Sequence, residues 1–157
     1  MKTIKKILVL FLLPALTAFA GPGPMIKKQQ AKGVIRKTAV VIMHAYRRVK
    51  TEHVYTGNLA RAIAHQKFAI RLYREGKYFK AIHHSRMARR LAILALKANR
   101  GEEMADWKYS KEEEANMKGG PPEEELSSEL SKEMPGAAVK DEDVISDIPD
   151  VDLRNDE

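Results

Sequence analysis

The sequence contains no cysteine among its 157 residues. This absence excludes disulfides, thiolate metal sites, a cysteine nucleophile and the lipid-bearing cysteine of a bacterial lipoprotein. Aromatic residues make up only 6% of the chain and include a single tryptophan, Trp107. No platform for stacking nucleobases is evident, so the composition does not favour base recognition.

Acidic residues are almost absent from one part of the chain. Residues 21–100 carry 19 lysines and arginines but only two acids, Glu52 and Glu75, whereas residues 101–157 carry six lysines and arginines against 19 acids. The formal net charge of +7 therefore conceals a strongly basic part joined to an acidic one. Such asymmetry indicates that one half meets a polyanion or an acidic partner, while the other repels, solubilises or shields.

Long apolar runs are also lacking outside the first twenty residues. Residues 1–20 combine a cationic start, a short apolar run over residues 7–16 and an Ala18-Phe19-Ala20 cleavage pattern. This arrangement predicts a secretory signal peptide, cleaved after Ala20, and an exported protein in a bacterial periplasm. Because the run is far shorter than the roughly 20 residues that span a bilayer, we expect no stable membrane span after cleavage.

Apolar residues recur at helical spacing over most of the basic part. Residues 21–32 are predicted to be a flexible N-terminal segment, and residues 33–101 a basic helical domain. Apolar steps of three and four predict helices over residues 33–52, from an N-cap at Asn58, and over residues 77–99. Short turns at Gly57 and Gly76 favour antiparallel neighbours. The predicted fold class is all-α, a small three-helix up-down bundle, with Trp107 packed back onto it.

The remaining residues, 102–157, are called the acidic tail. Their alternation of acids with scattered apolar residues is typical of segments that stay disordered until they dock. One short helix is predicted over residues 122–134, because Leu126, Leu130 and Met134 share a face. The rest of the acidic tail is predicted to be mostly disordered.

Residues 65–98 resemble one tetratricopeptide (TPR) repeat, a hairpin of two tightly crossed helices. The match consists of a small residue, an apolar residue, a turn glycine, an aromatic residue and two small contact residues, which are Ala69, Leu72, Gly76, Tyr78, Ala81 and Ala88. The tryptophan and leucine positions of the repeat hold His65 and Phe68 instead, and no second copy follows. The resemblance implies a TPR-like hairpin that packs through these six residues and takes part in protein interaction.

The histidines raise the question of metal binding or catalysis. Adjacent residues on a helix point about 100° apart, so His83 and His84 cannot face one ion together. A hairpin that turns at Gly76 brings His65 level with His84, but no cysteine or nearby acid completes a ligand set. Because the basic part also lacks positioned carboxylates, the sequence predicts no catalytic residues, no metal and no cofactor, and a protein that is not an enzyme.

Cations form stripes on two of the predicted helices. We take seven residues as candidate anion-binding or partner-binding residues, namely Lys67, Arg71, Arg74, His83, Arg86, Arg90 and Lys97. Guanidinium groups offer forked donors that suit phosphate, sulfate or carboxylate. His83 is interpreted as a pH-sensitive addition to the charge of the second stripe.

The charge layout therefore predicts an exported, non-enzymatic helical interaction module. Its basic face is expected to bind an acidic protein partner or its own C-terminal tail. The alternative is a periplasmic protein that binds an envelope polyanion, such as lipopolysaccharide, polysaccharide or nucleic acid. The sequence leaves open whether the chain forms a homo-oligomer.

Overall fold

A computed structural model describes residues 24–117, 119–137 and 140–147 of the chain. Within these ranges the chain is all-α, as predicted. Its helices are α1 (Pro24–Glu52), α2 (Asn58–Arg74), α3 (Tyr78–Ala98), α4 (Lys111–Met117), α5 (Glu123–Glu133) and α6 (Asp141–Asp147), with a short 3-10 turn over Ala105–Trp107. The predicted signal peptide, residues 1–20, lies outside the described residues.

The three long helices pack side by side, with α3 against both α1 and α2. Thr38 on α1 donates a hydrogen bond to the carbonyl of Ser85 on α3 at 3.1 Å, and Arg48 donates to the carbonyl of Arg100 at 3.0 Å. Because residue numbers rise together along these two contacts, α1 and α3 run in the same direction. The helix between them, α2, runs the opposite way, which gives an up-down-up arrangement.

The turn between α2 and α3 is built on Gly76, whose φ of 76° lies in the left-handed region that favours glycine. The amide of Lys77 donates to the carbonyl of Leu72 at 2.9 Å and closes the end of α2. Small side chains allow the two helices to approach closely. The buried residues of the predicted hairpin contacts are Ala69, Leu72, Ala81 and Ala88. Tyr78 is partly buried against Tyr73, with ring centroids 5.4 Å apart.

The first helix begins earlier than the sequence suggested. Residues 24–32, which were predicted to belong to a flexible segment, form the first turns of α1. The physical reason is that Ala31, upstream of Gly33, is buried in the same apolar cluster as Val34 of α1 and Phe68 of α2.

Over residues 102–117, 119–137 and 140–147, the acidic tail contains more helix than the prediction of a mostly disordered segment implies, and residues 148–157 lie outside the described residues. Helix α5 lies within the predicted residues 122–134, but α4 and α6 were not predicted, because a seven-residue helix offers too few apolar positions to show a period. The buried side chains Leu126, Leu130 and Val144 join the apolar core of the bundle. Trp107 is only 3% exposed and lies against His44, with ring centroids 4.9 Å apart. Its predicted packing on the bundle is confirmed.

Candidate functional site

Ion pairs join the acidic tail to helices α2 and α3 along a contact that we call the seam. Helix α5 contacts α2 and α3 through ion pairs at its exposed edge. The carboxylate of Glu133 lies 2.9 Å from a guanidinium nitrogen of Arg71, and that of Glu129 lies 2.6 Å from Nζ of Lys80. The hydrogen bond from Lys80 is the main reason that the pKa of Glu129 lies below its usual value. Glutamates of the acidic tail therefore occupy cations of both helices of the hairpin.

A second contact of the seam is buried. Arg89 is fully buried, and its Nη2 donates to Oε1 of Glu113 at 2.5 Å, while the ring of Tyr109 lies 4.8 Å from the centre of its guanidinium. Burial opposes ionisation of Glu113, but hydrogen bonds from Arg89 and from the amide of Ser110 outweigh it, so the pKa of Glu113 lies below its usual value. Since an unpaired buried charge is strongly unfavourable, each partner depends on the other.

Glu113 also holds its own helix in place. The amide of Ser110 donates to Oε2 of Glu113 at 2.9 Å, and the amide of Glu113 donates to Oγ of Ser110 at 3.2 Å. This reciprocal pair is a capping box, in which two amides at the start of a helix are satisfied by side chains. Glu113 therefore has two roles, because it caps the start of α4 and also pairs with Arg89.

The third contact of the seam lies at the start of α2. The predicted N-cap, Asn58, is instead the first helical residue, and Gly57 with a φ of 74° precedes it. Asp141 of α6 supplies the capping carboxylate and is fully buried. Its oxygens accept from the amides of Thr56, Gly57 and Ala60 at 2.8, 2.7 and 2.9 Å. The sequence prediction was wrong here because the cap comes from a distant part of the chain.

The two histidines that were expected to come level do so inside the hairpin. Nδ1 of His65 lies 3.0 Å from Nδ1 of His84, and Nε2 of His84 lies 3.4 Å from a carboxylate oxygen of Glu129. A neutral His84 that carries its proton on Nε2 faces the carboxylate with a donor and accepts from His65 at Nδ1. Burial, followed by the charges of His84 and Arg61, lowers the pKa of His65 to about 3. Burial also lowers the pKa of His84. Both rings are therefore neutral at ordinary pH.

Only part of the stripe predicted on α3 faces solvent in the structure, since Arg90 and Lys97 are exposed there whereas its other two members are buried. His83 is 5% exposed and Arg86 is 2% exposed. Arg90 forms an ion pair with Glu123, and Nζ of Lys97 lies 2.6 Å from a carboxylate oxygen of Glu103. The expectation of an open basic stripe is thus corrected, because residues of the acidic tail cover or pair all four side chains.

His83 lies directly beneath the segment that leads into α5. A Cβ atom placed on Gly120 would lie 2.4 Å from Cε1 of the His83 ring, so only glycine fits at this position without a shift. Burial and the nearby charge of Arg86 lower the pKa of His83 to about 4. His83 therefore stays neutral on mild acidification, which corrects its interpretation as a pH-sensitive addition to the basic stripe.

The stripe predicted on α2 remains at the surface. Lys67 and Arg74 are exposed, and Arg71 is half-buried where it meets Glu133. Of the seven candidate residues, the structure brings Arg71, Arg90 and Lys97 into ion pairs with the acidic tail and buries His83 and Arg86 beneath it. The two stripes are thus different surfaces, one largely covered and one largely open.

Sequence reasoning missed Arg89, Tyr109, Glu113, Glu129 and Asp141, which form much of the seam. The pattern from Ser110 to Glu113 carried a capping-box signal that could have located the start of α4. No comparable signal distinguishes Glu129 or Asp141 from the other acids. Among the residues that the structure describes, no three histidines, aspartates or glutamates are placed to hold a metal ion, and no helix has the length and apolarity to cross a membrane.

Comparison of the chain with protein-family models, with curated proteins and with solved structures gave no match. The resemblance to a TPR repeat therefore stays a prediction.

Proposed function

We propose that this chain is an exported, non-enzymatic interaction module, built on a TPR-like hairpin, whose basic helices bind an acidic protein segment. Its own acidic tail occupies part of the same surface and competes with that partner. The observation that supports this proposal best is the pairing of α5 with the hairpin, through Glu129 on Lys80 and Glu133 on Arg71. An acidic segment is thus already seated on these cations.

The contacts of α5 differ from the deeper contacts in how readily a partner replaces them. The side chains of Lys80 and Glu133 are more than half exposed, and exposed ion pairs contribute at most about 1 kcal/mol each. The buried pair of Arg89 and Glu113 is shielded from solvent and is not open to exchange. An acidic partner therefore competes with α5 for Lys80 and Arg71. Lys67, which is exposed on the same helix as Arg71, offers this partner a further cation.

Competition by the acidic tail is tested with a fluorescein-labelled decaglutamate peptide and the full mature protein. The variant Glu129→Gln/Glu133→Gln removes the ion pairs of α5 with Lys80 and Arg71, and we expect it to bind the peptide several-fold more tightly than the wild type in fluorescence anisotropy. The matched control is Glu112→Gln/Glu124→Gln, which changes net charge equally at two exposed positions of the same tail. We expect the control to match the wild type.

Two results contradict the proposal. Equal affinities of the wild type, the variant and the control show that the acidic tail does not compete for the surface. The lack of any peptide binding by all three proteins shows that the basic helices do not accept an acidic segment.

A second candidate function is binding of an anionic envelope polymer, and the outer face of α1 favours it. Arg47 and Lys50 are exposed there, and α1 contacts the acidic tail chiefly through the 3-10 turn near Trp107. Heparin serves as the probe for this function. Charge-driven binding of heparin weakens steeply with salt, as polyanion binding releases counterions, whereas a packed protein interface persists. Strong heparin binding that Arg47→Gln/Lys50→Gln reduces favours the second function, and unaffected binding contradicts it.

A further inference from the structure

A small cleft lies where the acidic tail crosses α3. Its walls come from both parts of the chain, with His83, Arg86 and Arg90 on α3 facing Tyr109 and Glu123 of the tail. Its volume is about 70 Å³, and it opens to solvent. Since one water molecule takes about 30 Å³ of the liquid, the cleft has room for one small ion rather than for an organic ligand of ordinary size.

Arg86 is the unusual member of this cleft. Its side chain is 2% exposed, yet Nε, Nη1 and Nη2 all lack a hydrogen-bond partner among the residues that the structure describes. Nε2 of His83 is likewise buried without a partner in this part of the chain. Buried polar groups are nearly always hydrogen-bonded, and a buried charge without a partner is strongly unfavourable. Two residues that line this cleft therefore carry four buried nitrogen atoms without an acceptor among the described residues.

The charges around the cleft do not balance. Arg89 is paired with Glu113, and Arg90 is paired with Glu123. Arg86 is left without a carboxylate of its own, and Tyr109 does not supply a negative charge, because burial raises the pKa of its hydroxyl. That hydroxyl instead donates to the backbone carbonyl of Arg86 at 2.9 Å. The guanidinium of Arg86 is therefore offset only by the nearby charge of Glu113, which is already paired with Arg89.

We propose that this cleft is a binding site for a phosphate-class oxyanion, held by the guanidinium of Arg86 and by Nε2 of His83. The forked donors of arginine match phosphate and sulfate oxygens. Four unpartnered nitrogens suit a tetrahedral oxyanion, which offers more acceptor oxygens than a carboxylate. Neutral His83 donates from Nε2 in the tautomer that this contact selects. A bound ion links α3 to the acidic tail, because residues of both line the cleft.

The opening to solvent allows two sources of the same chemistry, a free inorganic ion or the phosphate monoester of a larger molecule. The site stands on the geometry of Arg86 and does not depend on the proposed function. It predicts that the oxyanion stabilises the docked tail, since a ligand that binds only the folded form raises its stability.

The test uses the full mature protein in a zwitterionic buffer, with sodium phosphate compared with sodium chloride at equal ionic strength. We expect phosphate to raise the melting temperature of the wild type above its value in chloride, and to broaden the ³¹P resonance of phosphate when protein is added. Glycerol 3-phosphate replaces inorganic phosphate in a second arm. A larger rise with the ester identifies a monoester as the preferred source, and an equal or smaller rise identifies the free ion.

The variant Arg86→Gln removes the charge of the cleft, and Lys28→Gln removes one positive charge at an exposed position of α1. We expect phosphate to stabilise Lys28→Gln as it does the wild type and to have no effect on Arg86→Gln. Arg86→Lys, which keeps the charge but loses the fork, is expected to bind more weakly than the wild type. Should Arg86→Gln fail to fold, the ³¹P measurement on the wild type and Arg86→Lys still decides.

The proposal is overturned if phosphate and chloride act alike on the wild type and the ³¹P resonance is unchanged. It is also overturned if Arg86→Gln gains as much from phosphate as Lys28→Gln does, because binding then lies elsewhere on the basic surface.

Discussion

The carboxylate of Asp141 accepts a hydrogen bond from the backbone amide of Ala60 at 2.9 Å, across 81 residues of sequence. With Thr56 and Gly57, it gives the start of α2 three capping contacts from a single side chain. A negative charge at the N-terminus of a helix also interacts favourably with the helix dipole. The first turn of α2 therefore depends on a residue of the acidic tail.

Replacement of Asp141 by alanine is expected to lower the free energy of unfolding by about 2 kcal/mol, because three amides, among them the buried amide of Ala60, lose their acceptor. Urea unfolding followed by the fluorescence of Trp107 measures the change, since this tryptophan is buried in the fold. Asp143→Ala, at an exposed position of the same helix, is the control and is expected to change little. Equal loss in both variants would show that the cap does not stabilise α2.

Arg89 and Glu113 are expected to behave as a coupled pair. Arg89→Met alone should lower the free energy of unfolding by about 3 kcal/mol, because it leaves the buried carboxylate of Glu113 without its cation. The double variant Arg89→Met/Glu113→Gln removes the charge but keeps the capping box, so it should recover much of this loss, and a double-mutant cycle measures the coupling. The exposed pair of Lys97 and Glu103 serves as comparison, with an effect of at most about 1 kcal/mol on neutralisation. Additive losses at Arg89 and Glu113 would contradict this account.

Stability should fall on mild acidification because of the buried histidines. In the folded protein the pKa of His65 is about 3 and that of His83 is about 4, against an ordinary value of 6.5. The unfolded chain therefore takes up protons as pH falls through 6.5, while the folded chain does not until the pH nears these lowered values. Each histidine then lowers the free energy of unfolding by up to about 1.4 kcal/mol per pH unit within this window.

Urea unfolding at several values between about pH 7 and about pH 5 checks this slope, a range in which histidine titrates. The variant His65→Gln/His83→Gln is expected to flatten the pH dependence of stability. His53→Asn, at an exposed position with a φ of 57° that asparagine tolerates, should leave the slope unchanged. A wild-type stability that does not vary across this range would refute the prediction.

Two adjacent glycines offer a matched pair of substitutions at the crossing of the acidic tail. A Cβ at Gly120 would lie 2.4 Å from the ring of His83, whereas a Cβ at Gly119 meets nothing within 4 Å. Gly120→Ala is therefore expected to lower the free energy of unfolding by about 1–3 kcal/mol through overpacking. Gly119→Ala should be neutral or slightly stabilising. Thermal unfolding of both variants measures the difference, and similar melting temperatures would contradict the close contact at Gly120.

The bundle was predictable where its signals are local. Apolar spacing predicted α3, and Gly76 predicted the turn before it. A turn at this position also predicted that His65 lies level with His84. Each of these follows from residues less than twenty positions apart, so the geometry of one helix or one hairpin suffices. The start of α1 was predicted too late, because Ala31 is a weak apolar marker that tertiary contacts make significant.

The residues of the seam could not be predicted in the same way, because only a few of the many acids of the tail contact the basic helices. Nothing local distinguishes Asp141 or Glu129 from the other carboxylates of the tail, and their partners lie tens of residues away. The sequence also placed Arg86 on a polar stripe without showing what covers that stripe. From sequence alone, a cation on the outer face of a helix such as Arg86 is assumed to be solvated. The structure shows instead that a later segment of the chain buries it.

The capping role of Asp141 has a consequence for how the acidic tail detaches. Its donors are neutral backbone amides, and Glu113 is buried with Arg89, so dissolved ions screen neither contact strongly. Helix α5 lies between these two tethers and is held both by the burial of Leu126 and Leu130 and by exposed pairs that salt weakens. Under the proposed function, an α5 that lifts remains a loop fixed at both ends, at a high effective concentration near the surface it has left. We therefore expect a ligand that presents several negative charges at once to displace it most effectively.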